Sequence, residues 1–569
     1  MLTGELRARA TAWIAADIDD QDKAELTALL ADDSDAAAAE VADRFAGRLH
    51  FGTAGLRGAV AAGPNRMNRA TVTAATAALA GWLTSRDPAA ADAGVVVGCD
   101  ARHRSDEFAA QVARVLAGAG IRVHMLPSRE PTPFLAYGVR FFQAAAGVMI
   151  TASHNPPADN GYKVYAADGA QIVPPADTDI EAAIAALGPV SQVPLAELNS
   201  PLITWHDQAS TQQYLDTIRA ELGPAPASAA WLRFAYTPLH GVAGRLALRA
   251  FEQAGFAAPD VVEAQFEPDP AFPTVSFPNP EEPGALDLAI AQARRSGADL
   301  IIANDPDGDR LAVAIPDAEA PGGYRQLTGD QTGALLGAYL LGRLAADPSV
   351  DMSRQLVVSS VVSGTLLAKI AAAAGAPHAQ TLTGFKWIVR AADLREDVQF
   401  AFGYEEALGY AVTSAVRDKD GISAALAILA LAAVARSVGE SLQDAYDSLE
   451  ISHGVHLTGQ LSLQTGATVD IMSRLRSAAP AELARHPVIS VTDYSGGSRD
   501  LPSADMLAYQ LPGARVLIRP SGTEPKIKVY LEVIELVTGR TLGSARSAAA
   551  GRMAGLRASV TDLLGQDSA

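Results

Sequence analysis

The chain has 569 residues, of which 49% are apolar and 19% charged, and its 45 Lys and Arg against 64 Asp and Glu give a formal charge of −19. This length is too great for one compact core and predicts roughly three to five domains. The composition is typical of a globular protein without a disordered bias. Because an acidic surface repels nucleic acid and anionic membranes, we expect neither as a partner. An anionic ligand would need a local group of Arg, Lys and backbone amides.

The cysteine content and the N-terminal sequence favour a cytoplasmic protein. Cys99 is the only cysteine, so no intramolecular disulfide can form, and its apolar neighbours predict a small buried side chain. Residues 1–20 contain no apolar h-region of a signal peptide. The longest apolar stretch, 421–435, is shorter than the ~20 residues that span a bilayer. It predicts a buried helix with an acidic start.

One pattern recurs along the chain: an apolar run ends in a polar, glycine-rich turn, and a helical pattern usually follows. It occurs at 93–105, 144–157, 231–244, 298–310, 355–367 and 398–410. This alternation predicts α/β units, whose ligands collect beyond the carboxyl ends of the strands. Segments 187–201, 316–330 and 451–460 are predicted linkers. The last segment, 455–569, is predicted to hold two strands around a turn and then an Ala-rich helix.

The segment NDPDGDR places Asp305, Asp307 and Asp309 in a tight turn between two strand-like runs. Carboxylates this close repel one another unless a cation joins them, and Mg²⁺ or Ca²⁺ prefers such oxygen ligands. An EF-hand is excluded because Arg310 and Pro316 stand where its loop needs Gly and Glu. The alternative is a solvated Asp/Gly turn.

The segment RPSGTEPKIK predicts an anion-binding turn. Arg519 offers a bidentate fork, Ser521 and Thr523 offer hydroxyls, and Gly522 allows backbone N–H groups to turn inward. Together these groups suit a phosphate. The alternative is a polar hairpin turn between two strands.

Three further segments carry weaker signals. FGTAGLRG holds Arg57, and TGFKWI holds Lys386, which would contact a phosphate or hydroxyl or else be a surface lysine. GCDARHRS, 98–105, is equally ambiguous. In GYEEALGY, Glu405 and Glu406 follow an apolar run and should point in different directions. One carboxylate could accept hydrogen bonds from sugar hydroxyls, or the pair could mark a helix start, where the dipole favours Glu.

Ser153, in TASHNPPADNGYK, could cap a turn or carry out chemistry. The segment is not G-x-S-x-G, so a hydrolase elbow is not indicated. His154 is adjacent, and because neighbouring side chains usually diverge, a Ser-His dyad is disfavoured. Asn160 and Gly161 predict a turn, and Lys163 could fold back towards the serine. A phosphate on Ser153 would complete a cation site with the three aspartates.

The segments TASHNPPADNGYK, NDPDGDR, GYEEALGY and RPSGTEPK, in this order, resemble the signature loops of the α-D-phosphohexomutase superfamily, which includes phosphoglucomutases and phosphomannomutases. With GTAGLRG, the resemblance spans nearly the whole chain. GTAGLRG, TPLHG and GYEEALGY are most similar to the branch of phosphopentomutase-like phosphoglucomutases. The resemblance implies an α/β protein with four domains around a central cleft, three related mixed α/β domains and a smaller C-terminal α+β domain. Their predicted bounds are 1–200 with the phosphoserine loop, 201–320 with the metal loop, 321–452 with the sugar-binding loop and 453–569 with the phosphate-binding loop.

The resemblance also implies a role for each site residue. The implied catalytic residues are Ser153, Lys163, Arg57 and His154. The implied metal ligands are Ser153, Asp305, Asp307 and Asp309. The implied substrate-binding residues are Arg310, Lys386, Glu405, Arg519, Ser521, Gly522 and Thr523. Ser153 would be phosphorylated in the active enzyme, and Lys163 would shuttle protons if desolvation lowered its pKa. Many hexose enzymes carry Glu-x-Ser in the sugar loop, but here Ala407 follows Glu405 by two positions, so a strict glucose or mannose preference is not implied.

The predicted function is an isomerase of carbohydrate metabolism, a phosphoglucomutase/phosphomannomutase type of phosphosugar mutase. It would move a phosphoryl group between C1 and C6 (or C5) through a phosphoserine and a bisphosphate, with Mg²⁺ and a sugar 1,6-bisphosphate activator. Its partners would be small-molecule sugar phosphates, and it would be a monomer or homodimer. Alternatives are a phosphopentomutase or a glucose-1,6-bisphosphate synthase. From other classes, an aspartyl phosphatase that attacks with Asp305 and a non-catalytic sugar-phosphate binder stay open.

Overall fold

The computed structural model describes residues 2–464, 468–497, 501–521 and 526–565. These residues divide into two compact units, Met1–Gln326 with Gly409–Ala430, and Leu327–Leu408 with Leu431–Ala569. Each unit is described by itself below. Gly522 and Thr523 of the predicted phosphate-binding loop lie outside the described residues.

Helices occupy much of both units. They are α1 (Gly4–Ala16), α2 (Asp20–Ala31), α3 (Asp35–Arg44), α4 (Arg69–Arg86), α5 (Ala90–Ala93), α6 (Ser105–Gly118), α7 (Thr132–Phe141), α8 (Ala176–Ala186), α9 (Ala209–Leu222), α10 (Ala243–Ala254), α11 (Asp287–Ser296), α12 (Gly329–Ala345), α13 (Leu366–Ala374), α14 (Phe385–Ile388), α15 (Gly421–Ser437), α16 (Leu442–His453), α17 (Thr468–Ser477) and α18 (Leu542–Gly565). Polar caps begin several of them: the Asn68 side chain accepts from Thr71 N at the start of α4, which satisfies one of the otherwise unpaired first-turn N–H groups. The buried helix predicted at 421–435 is α15.

The strands are β1 (Leu56–Ala59), β2 (Val95–Cys99), β3 (Val123–Met125), β4 (Ala146–Ile150), β5 (Asp159–Ala166), β6 (Ile203–Trp205), β7 (Phe234–Thr237), β8 (Asp260–Val261), β9 (Leu300–Asn304), β10 (Leu311–Pro316), β11 (Tyr324–Gln326), β12 (Gln355–Ser360), β13 (His378–Thr381), β14 (Gln399–Glu405), β15 (Gly409–Ala411), β16 (Val455–Gln464), β17 (Glu482–Leu483), β18 (His486–Pro487), β19 (Ser490–Asp493), β20 (Leu507–Leu511), β21 (Ala514–Pro520) and β22 (Lys526–Glu535). Most of the strands before β16 alternate with helices, which is the α/β organisation that the sequence pattern predicted.

The first sheet of the first unit has the order β1-β5-β4-β2-β3-β6. Strands β2 and β4 are parallel neighbours and entirely buried, as expected where helices cover both faces of a sheet. Cys99 ends β2, is 4% exposed, and burial raises its pKa to about 12, which confirms it as a buried small side chain. The turn predicted at Asn160 and Gly161 is wrong because both lie in β5. A Cβ at Gly161 would stand 2.5 Å from Thr151 O, so glycine here permits close strand packing.

The second sheet of the first unit has the order β11-β10-β9-β7-β8. Strands β9 and β10 form an antiparallel hairpin in which Leu311 pairs with Asn304. The residues between them are the predicted metal loop. The linker predicted at 316–330 is partly wrong, because β11 lies within it and pairs with β10.

In the second unit, β13, β12 and β14 lie side by side and run parallel. A separate antiparallel sheet has the order β16-β22-β21-β20-β19, and α18 contributes Met553, Leu556 and Val560 to its core. The two strands and Ala-rich helix predicted for the end of the chain are therefore present. The linker predicted at 451–460 is wrong, because it contains the end of α16 and much of β16, which pairs along its length with β22.

No single helix in the described ranges is long and apolar enough to cross a membrane. By length and composition alone, the bent pair α15 and α16 passes the same test.

Candidate functional site

Ser153 lies just beyond β4, in a left-handed backbone conformation with φ of 52°. Its side chain is buried, and its Oγ donates a hydrogen bond to Asp305 Oδ2 at 2.9 Å. His154 Nδ1 lies 3.2 Å from the same Oγ. The expectation that these adjacent side chains diverge is therefore wrong, because the left-handed turn lets them converge on one point. Such a conformation is unusual for a residue with a Cβ and often accompanies function.

The loop that carries Ser153 is held by Arg102, a residue that the sequence analysis left in an ambiguous segment. The buried guanidinium donates to four backbone carbonyls: those of Ser153 at 2.7 Å, Asn155 at 2.5 Å, Pro156 at 2.8 Å and Asp159 at 3.0 Å. One side chain thus fixes the whole turn. The only sequence signal for it was a charged residue in the turn that follows a buried strand.

Asp305, Asp307 and Asp309 lie in the hairpin loop between β9 and β10 and are fully buried. One oxygen from each lies within 4.8 Å of the others. Oδ1 of Asp307 and Oδ1 of Asp309 are buried and have no hydrogen-bond partner in the described structure. Buried carboxylate oxygens without a partner are costly, and an oxygen-only donor set fits a hard cation such as Mg²⁺. The alternative of a solvated turn is wrong because the three side chains are shielded from water.

Two lysines approach the aspartates. Lys163 Nζ lies 2.8 Å from Asp307 Oδ2 and 3.3 Å from Asp309 Oδ2, and Lys419 Nζ lies 2.9 Å from Asp309 Oδ2. Lys163 reaches this position because β5 folds back along β4, where it pairs with Met149. Lys419 comes from the segment between β15 and α15. Sequence reasoning missed it because it had only marked the charged flank of an apolar helix.

The charges around Lys163 oppose the pKa shift that the sequence analysis required. Burial would lower the pKa of this ammonium, but the carboxylates of Asp307 and Asp309 outweigh burial and raise it. The condition for a proton shuttle is therefore not met with these neighbours, which favour Lys163 as an ammonium that donates hydrogen bonds.

The aspartates themselves differ in charge environment. Burial and the repulsion of Asp307 and Asp309 raise the pKa of Asp305 well above its ordinary value. The pKa of Asp307 is lowered instead: although burial would raise it, Lys163 and Thr132 stabilise the carboxylate. Thr132 Oγ1 donates to Asp307 Oδ2 at 2.7 Å, and Thr132 N donates to Asp307 O at 2.9 Å. Thr132 is a second contact that the sequence did not reveal.

Two predicted arginines flank this cluster. Arg57 is exposed on β1, and its guanidinium donates to Asn155 Oδ1 at 3.0 Å, next to the serine turn. Arg310 N donates to Asp305 Oδ1 at 3.0 Å, and its guanidinium pairs with Glu281 at 3.2 Å. Both positive groups therefore lie close to the loops that carry Ser153 and the aspartates.

The second unit holds the predicted sugar loop. Glu405 is the last residue of β14, and its Oε1 accepts a hydrogen bond from Gly384 N at 2.6 Å, two residues before Lys386. Glu406 points elsewhere, and its Oε2 accepts from the hydroxyls of Ser360 and Ser363, each at 3.0 Å. The two carboxylates thus diverge as predicted. The helix-start alternative is wrong because Glu405 ends a strand.

The described part of the predicted phosphate-binding turn lies in the same unit. Arg519 is near the end of β21, where its guanidinium donates to the Tyr530 hydroxyl at 3.1 Å and lies over the Tyr530 ring. Ser521 N donates to Lys526 O at 2.8 Å, which closes the hairpin. Arg519 Nε is buried without a hydrogen-bond partner among the described residues. This arginine therefore retains a donor for an anion.

A buried polar cluster in the second unit was not expected from the sequence. Glu532 Oε1 lies 2.9 Å from His456 Nδ1 and accepts from Thr365 N at 2.7 Å, while Arg515 Nε donates to Glu532 Oε2 at 2.6 Å. Arg515 also donates to Val361 O at 3.0 Å. Residues from the antiparallel sheet and from the segment between β12 and α13 therefore meet at one carboxylate.

In the first unit, a buried serine contacts an oxygen cluster suited to a cation, with basic groups around both. This combination on an α/β scaffold is typical of enzymes that transfer phosphoryl groups.

Comparison with known proteins identifies which family this is. Four family models match: phosphoglucomutase/phosphomannomutase alpha/beta/alpha domain I over residues 48–189, domain II over 212–319, domain III over 328–450 and the C-terminal domain over 472–535. The chain therefore belongs to the phosphoglucomutase/phosphomannomutase family, which confirms the resemblance carried by its four loops. The exact domain bounds given above stay a prediction.

Curated relatives carry several substrate names. A Haemophilus influenzae protein named "Probable phosphomannomutase" is 42% identical over 82% of this chain and 93% of its own length. The mouse "Phosphopentomutase" is 35% identical over 86% of this chain and 84% of its own length. The Staphylococcus epidermidis "Phosphoglucomutase" is also 35% identical, over 85% and 90%. The chain is accordingly a phosphosugar mutase, an isomerase.

The fold comparison agrees. A solved phosphoglucomutase/phosphomannomutase family protein from Burkholderia thailandensis matches with a TM-score of 0.66 at 20% identity, over 89% of this chain and 96% of that one. At this identity the likeness concerns the fold alone.

Proposed function

We propose that this mutase interconverts sugar 1-phosphates with 6-phosphates, or with 5-phosphates of pentoses, through a phosphoryl group carried by Ser153. Phosphoglucomutase or phosphomannomutase activity is our first assignment. Phosphopentomutase and glucose-1,6-bisphosphate synthase activities are the alternatives within the same chemistry. The mixed names of the relatives support a pentose alternative, and so does Ala407, which replaces a sugar-contacting hydroxyl in the loop of many hexose enzymes.

One observation carries this proposal: Ser153 Oγ lies 2.9 Å from Asp305 Oδ2, at the edge of a buried carboxylate cluster. A serine meant for hydrolysis would need an adjacent base held by a third group. His154 is adjacent, but no hydrogen bond from the described residues to its other ring nitrogen is found. Here the serine contacts a carboxylate that belongs to a candidate cation site. This arrangement favours a serine that carries a phosphate next to a metal ion.

Asp305, Asp307 and Asp309 would hold Mg²⁺ together with an oxygen of the Ser153 phosphate. Their fit rests on the two orphaned oxygens of Asp307 and Asp309 and on the oxygen-only chemistry of the set. When bound, Mg²⁺ would neutralise negative charge on the transferring phosphoryl group.

The transfer has two halves. In the first, a free hydroxyl of the sugar monophosphate attacks phosphorus, the bond from phosphorus to Ser153 Oγ breaks, and a sugar bisphosphate results. The hydroxyl proton leaves to a base, and the serine oxygen takes up a proton. In the second half the bisphosphate has reversed its orientation, and Ser153 Oγ gives up its proton and attacks the other phosphorus. The bond from that phosphorus to the sugar oxygen breaks, the sugar oxygen takes up a proton, and Ser153 is phosphorylated again. Positioning and charge neutralisation supply most of such catalysis.

The protein's own groups near Ser153 would manage the protons. His154 Nδ1, at 3.2 Å from the serine oxygen, is placed to exchange a proton with it. Lys163 and Arg57 are assigned catalytic roles beside His154. The Lys163 ammonium would donate hydrogen bonds that stabilise developing negative charge.

The substrate-binding residues are assigned by motif and supported by local contacts. Arg519, Ser521, Gly522 and Thr523 would bind the phosphate that does not react, and the uncommitted Nε of Arg519 supports this role. Glu405 would accept hydrogen bonds from sugar hydroxyls, with Lys386 and Arg310 as further contacts. Because the bisphosphate reverses, one phosphate-binding turn serves both ends of the sugar.

A panel assay tests the proposal. Purified wild-type protein and Ser153→Ala should be incubated with hexose and pentose 1-phosphates, with Mg²⁺, and with or without glucose 1,6-bisphosphate. We expect interconversion by the wild type and none by Ser153→Ala. We also expect part of the wild-type protein to have an intact mass heavier by one phosphate, and Ser153→Ala to show no such fraction. Normal interconversion by Ser153→Ala would refute the proposal. Free phosphate without isomerisation would instead favour an aspartyl phosphatase.

A further inference from the structure

A cavity of about 550 Å³ in the first unit takes no part in the proposed reaction. Its walls come from residues 128–130, which precede α7, from Gln208, from the first half of α10 with the residues just before it, and from residues 266–268. Its volume lies in the range of small-ligand sites.

Three arginines and two glutamates line the cavity, which gives its walls a small excess of positive charge on a chain whose net charge is −19. Arg129, Arg245 and Arg249 all contribute to its walls. Arg245 pairs with Glu267 at 2.9 Å, and Arg249 donates to the Thr211 hydroxyl at 2.7 Å. Because a guanidinium has five N–H donors, each of these contacts leaves donors that a bound anion can use.

The backbone at the start of α10 adds to this positive lining. Gly241, Val242 and Gly244 line the cavity, and among the described residues no side chain caps the N-terminus of this twelve-residue helix. First-turn N–H groups of an uncapped helix favour an anion. A Cβ at Gly244 would stand 3.0 Å from the Phe266 ring, so glycine keeps this wall tightly packed.

Glu130 and Gln208 give one wall of the cavity uncharged or acidic hydrogen-bonding groups in place of arginines. Glu130 is 8% exposed, lines the cavity, and accepts a hydrogen bond from Gln208 Nε2 at 2.9 Å. A buried carboxyl and a carboxamide among arginines suit hydroxyl groups rather than a second anionic group, because the carboxyl accepts hydrogen bonds and repels negative charge. Burial raises the pKa of Glu130 to about 7.

The same walls contact the candidate metal loop from behind. Val242 N donates to Pro306 O at 2.9 Å, and Thr132, two residues beyond Glu130, donates to Asp307. A Cβ at Gly308 would stand 3.0 Å from the Cβ of Ala243. The start of α10 and the segment before α7 therefore pack directly against the loop that carries the aspartates.

We propose that this cavity binds a small phosphate monoester that carries hydroxyl groups, and that its occupancy alters the affinity of the aspartate loop for its cation. The phosphate contacts the arginines and the start of α10, and the hydroxyls contact Glu130 and Gln208. Binding at this site does not depend on the proposed reaction, whereas its effect on cation affinity rests on the cation site of the proposed function.

Calorimetric titration with glycerol 3-phosphate tests the site. The full chain carrying Arg519→Ala serves as the background, because that change removes the proposed substrate-phosphate contact. In this background, Arg245→Glu should weaken glycerol 3-phosphate binding about tenfold or more, since it reverses a charge at the phosphate. Arg294→Glu, a matched change on the exposed end of α11, should alter it by less than about twofold. Equal affinities of the two variants, or no binding by the background protein, would overturn the proposal.

Two further arms test the hydroxyl contacts and the coupling. Glu130→Gln should weaken glycerol 3-phosphate more than inorganic phosphate, and an equal effect on both would refute the assigned orientation. Mn²⁺ titrations with and without saturating glycerol 3-phosphate should differ about fivefold, and Arg245→Glu should abolish the difference, because coupling between two sites is reciprocal. An unchanged Mn²⁺ affinity would refute the effector role.

Discussion

Each of the two units buries carboxylates, but the carboxylate oxygens of the two units differ in their hydrogen-bond partners. In the first unit, Asp307 and Asp309 each keep one buried oxygen without a hydrogen-bond partner within the described structure. In the second unit, both oxygens of Glu532 are bonded, to His456 and Thr365 on one side and to Arg515 on the other. The carboxylates are buried in both units, but only Glu532 has hydrogen-bond partners for both of its oxygens.

This difference separates a binding role from a structural role. A buried charge is costly unless partners compensate for its lost hydration. Around Glu532 the protein supplies all of that compensation itself. Around the aspartates the described residues supply Lys163, Lys419 and the nearby Arg310, but leave oxygens of Asp307 and Asp309 without a hydrogen-bond partner, so an added cation completes the compensation. Removing a carboxylate should accordingly damage activity in the first unit and stability in the second.

The largest expected effect is on activity, with Asp305→Asn. We expect mutase turnover to fall roughly a thousandfold, because the change removes a charge from the proposed cation site. Without added metal the midpoint of thermal unfolding should hold or rise, since the change also relieves repulsion among the three carboxylates. Asp317→Asn, at the partly exposed end of the same hairpin, is the matched control and should leave turnover unchanged. A large loss of thermal stability in Asp305→Asn would contradict the comparison.

The next effect is on stability, with Glu532→Gln. Breaking a buried ion pair leaves Arg515 without its partner, and we expect the unfolding midpoint to fall by about 5–10 °C. Burial would raise the pKa of Glu532, but His456 and Arg515 lower it to about 2. The wild type should therefore lose this advantage as pH falls from about 4.5 towards 2.

Differential scanning calorimetry across that pH range measures the effect of Glu532→Gln. Glu482→Gln, an exposed carboxylate in the same part of the chain, is the matched control and should not shift the midpoint. If the unfolding midpoint of Glu532→Gln were lower than that of the wild type by the same amount at every pH, charge pairing would not be the cause of the lower midpoint.

What the sequence predicted well was local. Ser153 and the three aspartates were found because each lies in a short, unusual turn after an apolar run, and the strand–turn–helix pattern gave the fold class. Arg102, Thr132 and Lys419 were missed because each reaches its partner from a distant segment. No local spacing predicts that Lys419, in the segment between β15 and α15, contacts Asp309.

Errors in the fold prediction had a similar cause. Asn160 and Gly161 have the composition of a turn, yet tertiary pairing draws them into β5 because only glycine fits between the neighbouring strands. The segment 451–460 looked like a linker, but pairing with β22 makes most of it a strand. Long-range strand pairing overrode local propensity in both places.

A smaller effect concerns pH, with Glu406→Gln. Burial and the repulsion of Glu405 and Asp330 raise the pKa of Glu406 to about 7. Because the folded state holds this proton more tightly than the unfolded chain, the wild type loses stability as pH rises from about 4.5 through 7. Gln cannot ionise, so the difference in unfolding midpoints should move in favour of the variant by about 5 °C between about pH 5 and 8. A difference that is independent of pH would refute the assignment.

The finest comparison uses one chemical change at two positions. Thr132→Val removes the hydroxyl that donates to Asp307, and Thr365→Val removes the hydroxyl that donates to Glu532 at 2.9 Å. Each loses one charge-assisted hydrogen bond, about 1–2 kcal/mol. In Thr132→Val this should appear as a kcat about fivefold to tenfold lower and a weaker Mn²⁺ affinity, because the aspartate oxygen is less well oriented. In Thr365→Val it should appear as an unfolding midpoint about 3–5 °C lower with kcat unchanged. If both variants lost the same stability and neither lost turnover, the hydrogen bonding of the buried carboxylates would not separate a binding role in the first unit from a structural role in the second.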